Sequence, residues 1–188
     1  EMVWVNPYID KRVCISHGLR KHMIAKVGAD NGNAERFTTI YNGIDFTHYK
    51  NNSSLKGRFK SRFNIPEEVK LISFIARFSE EKDPFLFVDI AQRILKANPR
   101  APIKFVMAGD GYLLAQVRER IRGYGLEDSF ILPGMLDNAQ ELLADTYLFV
   151  LTSNHEGIPL AVMEALAMNV PVVSTVVGAV EEILHDGV

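Results

Sequence analysis

FVLTSNHEGIPLAVMEALAMNVPVVST, residues 149–175, reads as a strand, a polar loop, a helix and a second strand in succession. It also places two acidic residues, Glu156 and Glu164, in apolar company. A buried carboxylate costs several kcal/mol unless something satisfies it. A glutamate inside IPLAVMEALA therefore needs either an escape to water at the helix edge or a partner.

Upstream, the same rhythm repeats. LISFIA (71–76), IKFVMA (103–108), SFILPG (129–134), YLFVLTS (147–153) and VPVVST (170–175) are largely continuous apolar runs, which predict strands buried on both faces. Between them lie residues at helical spacing: Phe85, Val88, Ile90, Ala91, Ile94 and Leu95, then Leu113, Leu114, Val117 and Ile121. Strands alternating with helices imply an α/β domain with a Rossmann-like parallel sheet and helices on both faces. Ligands of such sheets bind beyond the carboxyl ends of the strands, where loops run into helix N-termini. Before this region, RVCIS (12–16) reads as a strand followed by a helix through Ala29, and ERFTTIY (35–41) as a strand ending at the turn signal Asn42-Gly43. Polar residues 51–54 mark the boundary between a leading segment, 1–50, and the main domain, 51–188.

Composition limits what this domain can do. A 47% apolar and 23% charged chain of 188 residues is globular, not disordered or fibrous. A net charge of −2 offers no basic face for nucleic acid, and pairs such as Arg20-Lys21 read as solvated surface. Cys14 is the single cysteine, which excludes an intrachain disulfide and points to a reducing, cytoplasmic setting. The apolar run 158–180 is broken by Pro159, Glu164, Asn169 and Pro171 and splits into helix and strand, so it is not read as a membrane span. No secretory signal opens the chain, and both ends read as cut.

Four strand-to-helix loops carry the candidate chemistry. Arg77-Phe-Ser-Glu-Glu-Lys82 sets a forked donor and a mobile point charge five residues apart, a combination suited to a diphosphate, with a charged surface loop as the alternative. Gly109-Asp110-Gly111 permits a tight turn and close backbone approach but lacks the full dinucleotide fingerprint. Gly134-Met-Leu-Asp-Asn138 offers either a structural turn or backbone groups and an apolar wall for a flat base. Asn154-His-Glu-Gly-Ile-Pro159 enters a helix with proline at or near its first turn. A helix start suits an anion, and Glu164 in its second turn accepts hydrogen bonds well from sugar hydroxyls. From the residues alone the ligand is a phosphate flanked by polyols.

Glu156 and Glu164, separated by seven residues in HEGIPLAVMEALAMNVPVVST, resemble the signature of glycosyltransferase family 4, and Arg77 with Lys82 match that family's cation pair. The resemblance runs from Asn42-Gly43-Ile44-Asp45 to the final segment 178–187. It implies the C-terminal, donor-binding half of a GT-B enzyme, whose partner is a nucleotide sugar and which transfers with retention and without a metal or other cofactor. By position, Arg77 and Lys82 would bind the diphosphate and stabilise the leaving group. Glu164 would hold the ribose and Glu156 the donor sugar, with catalytic weight on Glu156, Arg77 and Lys82. Backbone amides of Gly157, Ile158 and Leu160 would approach sugar and phosphates, while Gly134, Met135 and Leu136 would border the base. The acceptor domain would be missing except for its last strand and helix, around residues 12–29. A full-length enzyme of this kind admits peripheral membrane association, and the isolated fragment would transfer nothing.

Two positions depart from the pattern. Pro159 stands where many members have glycine and removes a backbone donor, and Asp83 follows Lys82 where glycine is frequent. A non-catalytic nucleotide-binding or docking module on the same fold is the alternative function. A dinucleotide oxidoreductase is disfavoured for want of the glycine fingerprint. His155 reads as a solvated loop residue rather than a proton carrier, His17 and His22 as structural or exposed, and Trp4, Tyr8 and Phe37 as cover for a core edge.

Overall fold

A computed structural model describes residues 10–27, 33–49 and 54–185. Trp4, Tyr8, the end of the first helix beyond Val27 and the boundary near residue 51 lie outside the described residues. The chain sorts into two compact units: one takes the residues up to Gly43 with His155–Pro159 and the segment from Val176, the other Ile44–Asn154 with Leu160–Thr175.

In the smaller unit, β1 (Arg12–Cys14) pairs in parallel with β2 (Phe37–Thr39), and α1 (His17–Val27) lies between them in sequence. Cys14 and Phe37 are buried, and the Arg12 guanidinium sits 5.3 Å above the Phe37 ring, which makes Phe37 the core-edge residue expected. The strand expected over 35–41 is shorter, because Glu35 and Arg36 belong to a 3-10 turn, Asn33–Arg36. Asn42-Gly43 forms no turn. No strand follows Gly43 before the 3-10 turn Phe46–Tyr49, so there is no hairpin for such a turn to close.

The larger unit contains α2 (Arg58–Arg62), β3 (Lys70–Ile75), α3 (Pro84–Ala97), β4 (Ile103–Ala108), α4 (Leu114–Gly123), β5 (Phe130–Gly134), α5 (Ala139–Asp145), β6 (Thr146–Leu151), α6 (Leu160–Ala167) and β7 (Val172–Ser174). All five strands are parallel in the order β5-β4-β3-β6-β7. The Rossmann-like α/β class expected from the sequence is the one observed. Alternation along the central strands divides the core between the two faces. Ile72, Phe74, Phe105 and Met107 pack with Phe87, Val88 and Ala91 of α3 and Val117 and Ile121 of α4. Leu71, Val106 and Ala108 pack with Phe59 of α2 and Leu142 of α5 on the other. The first cluster is rich in aromatics: Phe87 meets Phe105 edge-on at 6.0 Å, and Phe105 stacks on Phe130 at 5.4 Å.

Burial on both faces holds for the inner strands but not for β5 and β7, whose edge positions leave them half-buried, with Val173 55% exposed. The short helices α2 and α5 are additions to the sequence reading. Asp145, itself buried, explains the first: its carboxylate accepts from the Gly57 and Lys60 amides at 2.5 and 3.0 Å, satisfying the start of α2. The side chain of Asn138 does the same for α5, accepting from the Gln140 amide at 3.0 Å.

Strand order also locates a crevice. From β3 the chain moves outward to β4 and β5, then returns to place β6 on the other side of β3 before moving outward again to β7. Crossovers thus leave β3 and β6 in opposite directions, and their carboxyl ends form the topological switch point where open α/β sheets bind ligands.

Candidate nucleotide-sugar site

β3 ends at Ile75, and Ala76–Phe78 cross directly over the loop that follows β4. The amides of Ala76 and Phe78 donate to the carbonyls of Ala108 and Asp110 at 3.1 and 2.9 Å, and the Leu113 amide donates to Phe78 at 3.1 Å. This contact explains both glycines of Gly109-Asp110-Gly111. A Cβ on Gly109 would stand 2.0 Å from the Ala76 carbonyl oxygen, and one on Gly111 2.4 Å from that of Phe78. Their task is close packing of two loops, in keeping with the missing dinucleotide fingerprint.

Beyond Phe78 the chain makes a 3-10 turn, Glu80–Lys82, and enters α3 through Asp83. Asp83 has φ 38°, a left-handed conformation, and its carboxylate accepts from the Leu86 amide at 3.1 Å. A glycine would meet the first requirement without cost, and aspartate meets it with some strain while capping the helix. Either residue therefore suits the position. The end of β6 is sewn onto this turn. The Thr152 hydroxyl donates to the carbonyls of Lys82 and Asp83 at 3.1 and 2.8 Å, and Asn154 donates through its amide to Glu81 at 2.7 Å and through its side chain to Glu80 at 3.0 Å. Lys82 is thereby fixed, half-buried, at the switch point.

A cavity of about 260 Å³ opens at the carboxyl ends of β3, β4 and β5. Arg77, Asp110, Met135, Leu136 and Ala139 contribute to its lining. The structure therefore brings Arg77 together with Met135 and Leu136, a cation beside an apolar wall. Met135 is 76% exposed, so its side chain is open to whatever enters the cavity. Gly134 has φ 79°, and its carbonyl accepts from the Gly109 amide at 2.8 Å, which anchors the wall to the loop after β4.

Glu164 lies on α6, half-buried, and does not line this cavity. The partner its position demands is Tyr49, whose hydroxyl donates to Glu164 Oε1 at 3.1 Å. No spacing rule points to Tyr49 from a residue 115 positions away. Leu160 opens α6 with its side chain 52% exposed, and Pro159 immediately precedes the helix.

Glu156, Gly157 and Ile158 belong to the smaller unit, as does the exposed His155. Here Gly178, at φ 58°, crosses the Glu156 backbone so closely that a Cβ would stand 1.8 Å from the Glu156 carbonyl oxygen. The Ala179 amide donates to the Gly157 carbonyl at 3.3 Å, and Ile158 is buried. In the same unit Glu182 closes the start of α1. Its carboxylate accepts from the amides of His17 and Gly18 at 3.0 and 2.8 Å and from the Tyr41 hydroxyl at 2.6 Å. The Tyr41 bond leads, with both amides adding, in holding the Glu182 carboxyl below its ordinary range, while the same bond raises the Tyr41 phenol. His17 is structural, its ring set edge-on to Tyr41 at 5.5 Å and hydrogen-bonded to Thr39, and His22 is exposed. Among the described residues, no helix is long and apolar enough to cross a membrane and no group of His, Cys, Asp and Glu is gathered to hold a metal ion.

A family model described as "Glycosyl transferases group 1" matches residues 56–188. Among curated relatives, the N-acetyl-alpha-D-glucosaminyl L-malate synthase of Bacillus anthracis is 28% identical over 180 residues, which is 95% of this chain and 44% of that protein. The Vi polysaccharide biosynthesis protein VipC/TviE of Salmonella typhi is 29% identical over 157 residues, 82% of this chain and 27% of that protein. Among solved structures, Anabaena Alr3699/HepE in complex with UDP-glucose superposes with a TM-score of 0.85 at 22% identity, over 97% of this chain and 49% of that one. The chain spans less than half the length of these relatives.

Proposed function

The chain belongs to the family of group 1 glycosyl transferases, and we propose that it is the donor-binding part of a retaining GT-B enzyme of glycosyltransferase family 4. On this reading, residues 51–188 form the nucleotide-sugar domain and residues 1–50 the end of an acceptor-binding domain with its linker. The observation that carries the proposal is the cavity of about 260 Å³ at the strand ends, where Arg77 faces the apolar pair Met135 and Leu136. A flat base against Met135 and Leu136, beside Gly134, would direct the diphosphate toward Arg77 and Lys82. The complex of Alr3699/HepE with UDP-glucose supports the ligand class.

In the reaction proposed, the bond from the sugar's anomeric carbon to the diphosphate oxygen breaks, one to an acceptor hydroxyl oxygen forms on the same face, and the hydroxyl proton passes to the departing diphosphate. Negative charge grows on the departing diphosphate. Fixed cations placed where charge develops lower the barrier, and Arg77 and Lys82 take that task in place of a metal. Glu164 holds the ribose hydroxyls, Glu156 the donor sugar, and the amides of Gly157, Ile158 and Leu160 the sugar and phosphates. Isothermal titration of the chain with UDP and GDP tests the assignment. One of them binds, and Arg77→Ala weakens it at least about tenfold, the loss of a charge-assisted contact. Unchanged affinity in Arg77→Ala, or no binding of either nucleotide by the folded chain, overturns it.

A further inference from the structure

Glu164 is held by a side chain far upstream in sequence, and that side chain is itself built into place. Asp45 shapes the turn that presents it: its Oδ1 accepts from the Thr47 amide at 2.9 Å and the Thr47 hydroxyl at 2.7 Å, and its carbonyl accepts from the His48 amide at 3.2 Å. A 3-10 turn, Phe46–Tyr49, follows and delivers Tyr49, half-buried, to α6. The phenol donates to Glu164 Oε1 at 3.1 Å. Desolvation first, and then the charge of Glu164, raise the Tyr49 pKa, so the phenol remains a donor at neutral pH.

A carboxylate offers about four lone-pair directions on its two oxygens. With one of these taken by the Tyr49 phenol, rotation of the carboxylate is restrained and its other oxygen is left for a second donor. We infer that Tyr49 is a positioning residue for Glu164: by donating to Oε1 it restrains the carboxylate and leaves the second oxygen for the ribose hydroxyls of the nucleotide. The inference rests on the ribose reading of Glu164. It makes discrimination by ribose hydroxyls depend on a phenol that does not itself touch the nucleotide. A site built to bind a hydroxyl discriminates strongly against an analogue lacking it, because its polar group is left unpaired.

The experiment compares the chain's affinity for UDP, or GDP if that is the nucleotide bound, with its affinity for the 2′,3′-dideoxy counterpart. The unmodified chain prefers the ribonucleotide by about tenfold or more, the worth of hydrogen bonds to a charged group. Tyr49→Phe keeps the ring and its packing, weakens the ribonucleotide about fivefold, and leaves the dideoxy nucleotide unchanged. A Tyr49→Phe chain that keeps the full ribose preference, while Glu164→Gln loses it, overturns the role of Tyr49 alone. A preference that survives Glu164→Gln overturns the ribose reading beneath it. Equal losses for both nucleotides in Tyr49→Phe reduce the residue to a packing role and also overturn the inference.

Discussion

Glu156 and Glu164 are separated by seven residues in sequence, yet the fold holds them by opposite means. Glu164 belongs to the five-stranded unit and is fixed through its side chain by the Tyr49 phenol. Glu156 belongs to the smaller unit and sits in a loop whose backbone is fixed by contact with Gly178 and by the Ala179 amide. A side-chain bond can be removed one atom at a time and costs about 1 kcal/mol. A backbone contact at van der Waals limits has no such gradation, because an added atom forces one main chain or the other to move. Two acidic residues that look like one local motif should therefore respond to substitution very differently.

Gly178→Ala should have the largest effect. The added Cβ meets main-chain atoms, not the end of a flexible side chain, in a left-handed conformation that alanine disfavours. A loss of about 3 kcal/mol in denaturant unfolding is expected. Gly125→Ala supplies the control, since Gly125 is also left-handed but has open space around its Cβ position, and about 1 kcal/mol is expected there. Equal losses at the two positions would break the contrast, because conformation alone would then account for both.

Glu182→Ala should come next, at about 1 kcal/mol, since the helix start of α1 loses an acceptor for two amides. Its dependence on pH sharpens the point. The folded state holds this carboxyl below its ordinary value of 4.5, so its contribution is present above that value and fades as pH falls through the lower, folded pKa. Unfolding curves of the unmodified chain and Glu182→Ala should accordingly converge toward acid. A difference that stays constant from pH 7 to strong acid would mean that the ionised carboxylate is not the stabilising form.

The smallest effect is expected at Asp83. Asp83→Gly removes the cap to Leu86 but relieves the left-handed backbone, and the two should nearly cancel, within about 0.5 kcal/mol. Asp83→Ala loses the cap and keeps the strain, and should cost about 1 kcal/mol. Thermal melts of the pair separate the two contributions, and a substantial loss in Asp83→Gly would mean that the cap outweighs the strain.

The inner strands of the larger unit were legible because parallel strands covered on both sides are apolar along most of their length, as LISFIA and IKFVMA are. Arg77 and Lys82 were legible as two cations in the loop after β3; of the two, Arg77 lines the cavity at the strand ends and Lys82 does not. The short helices α2 and α5 were not legible, since five and seven residues carry too few turns to display a period. Asn42-Gly43 misled because a turn signal specifies local dihedral freedom, whereas the next element after it is a 3-10 turn, Phe46–Tyr49, and not a strand that could pair back on β2. Tyr49 was invisible for a different reason. Its significance comes from a partner brought to it by tertiary structure, and the Asp45 that positions it reads in sequence only as a turn residue. Gly178 carried no signal of its own in the sequence, because its requirement comes from the Glu156 backbone that the fold packs against it.

The central strand β3 also bears on how the chain acquires this structure. It pairs with β4, close behind it in sequence, and with β6, whose first contact joins Leu71 to Thr146. As the chain emerges from the ribosome, β3, β4 and β5 can assemble while the other flank of β3 has no neighbour, and Leu71, Ile72 and Phe74 sit along that strand. Closing a connection of that length is slow compared with local pairing. Until β6 arrives, the innermost strand of the finished sheet is an open edge, the interval in which a nascent chain is most exposed to aggregation.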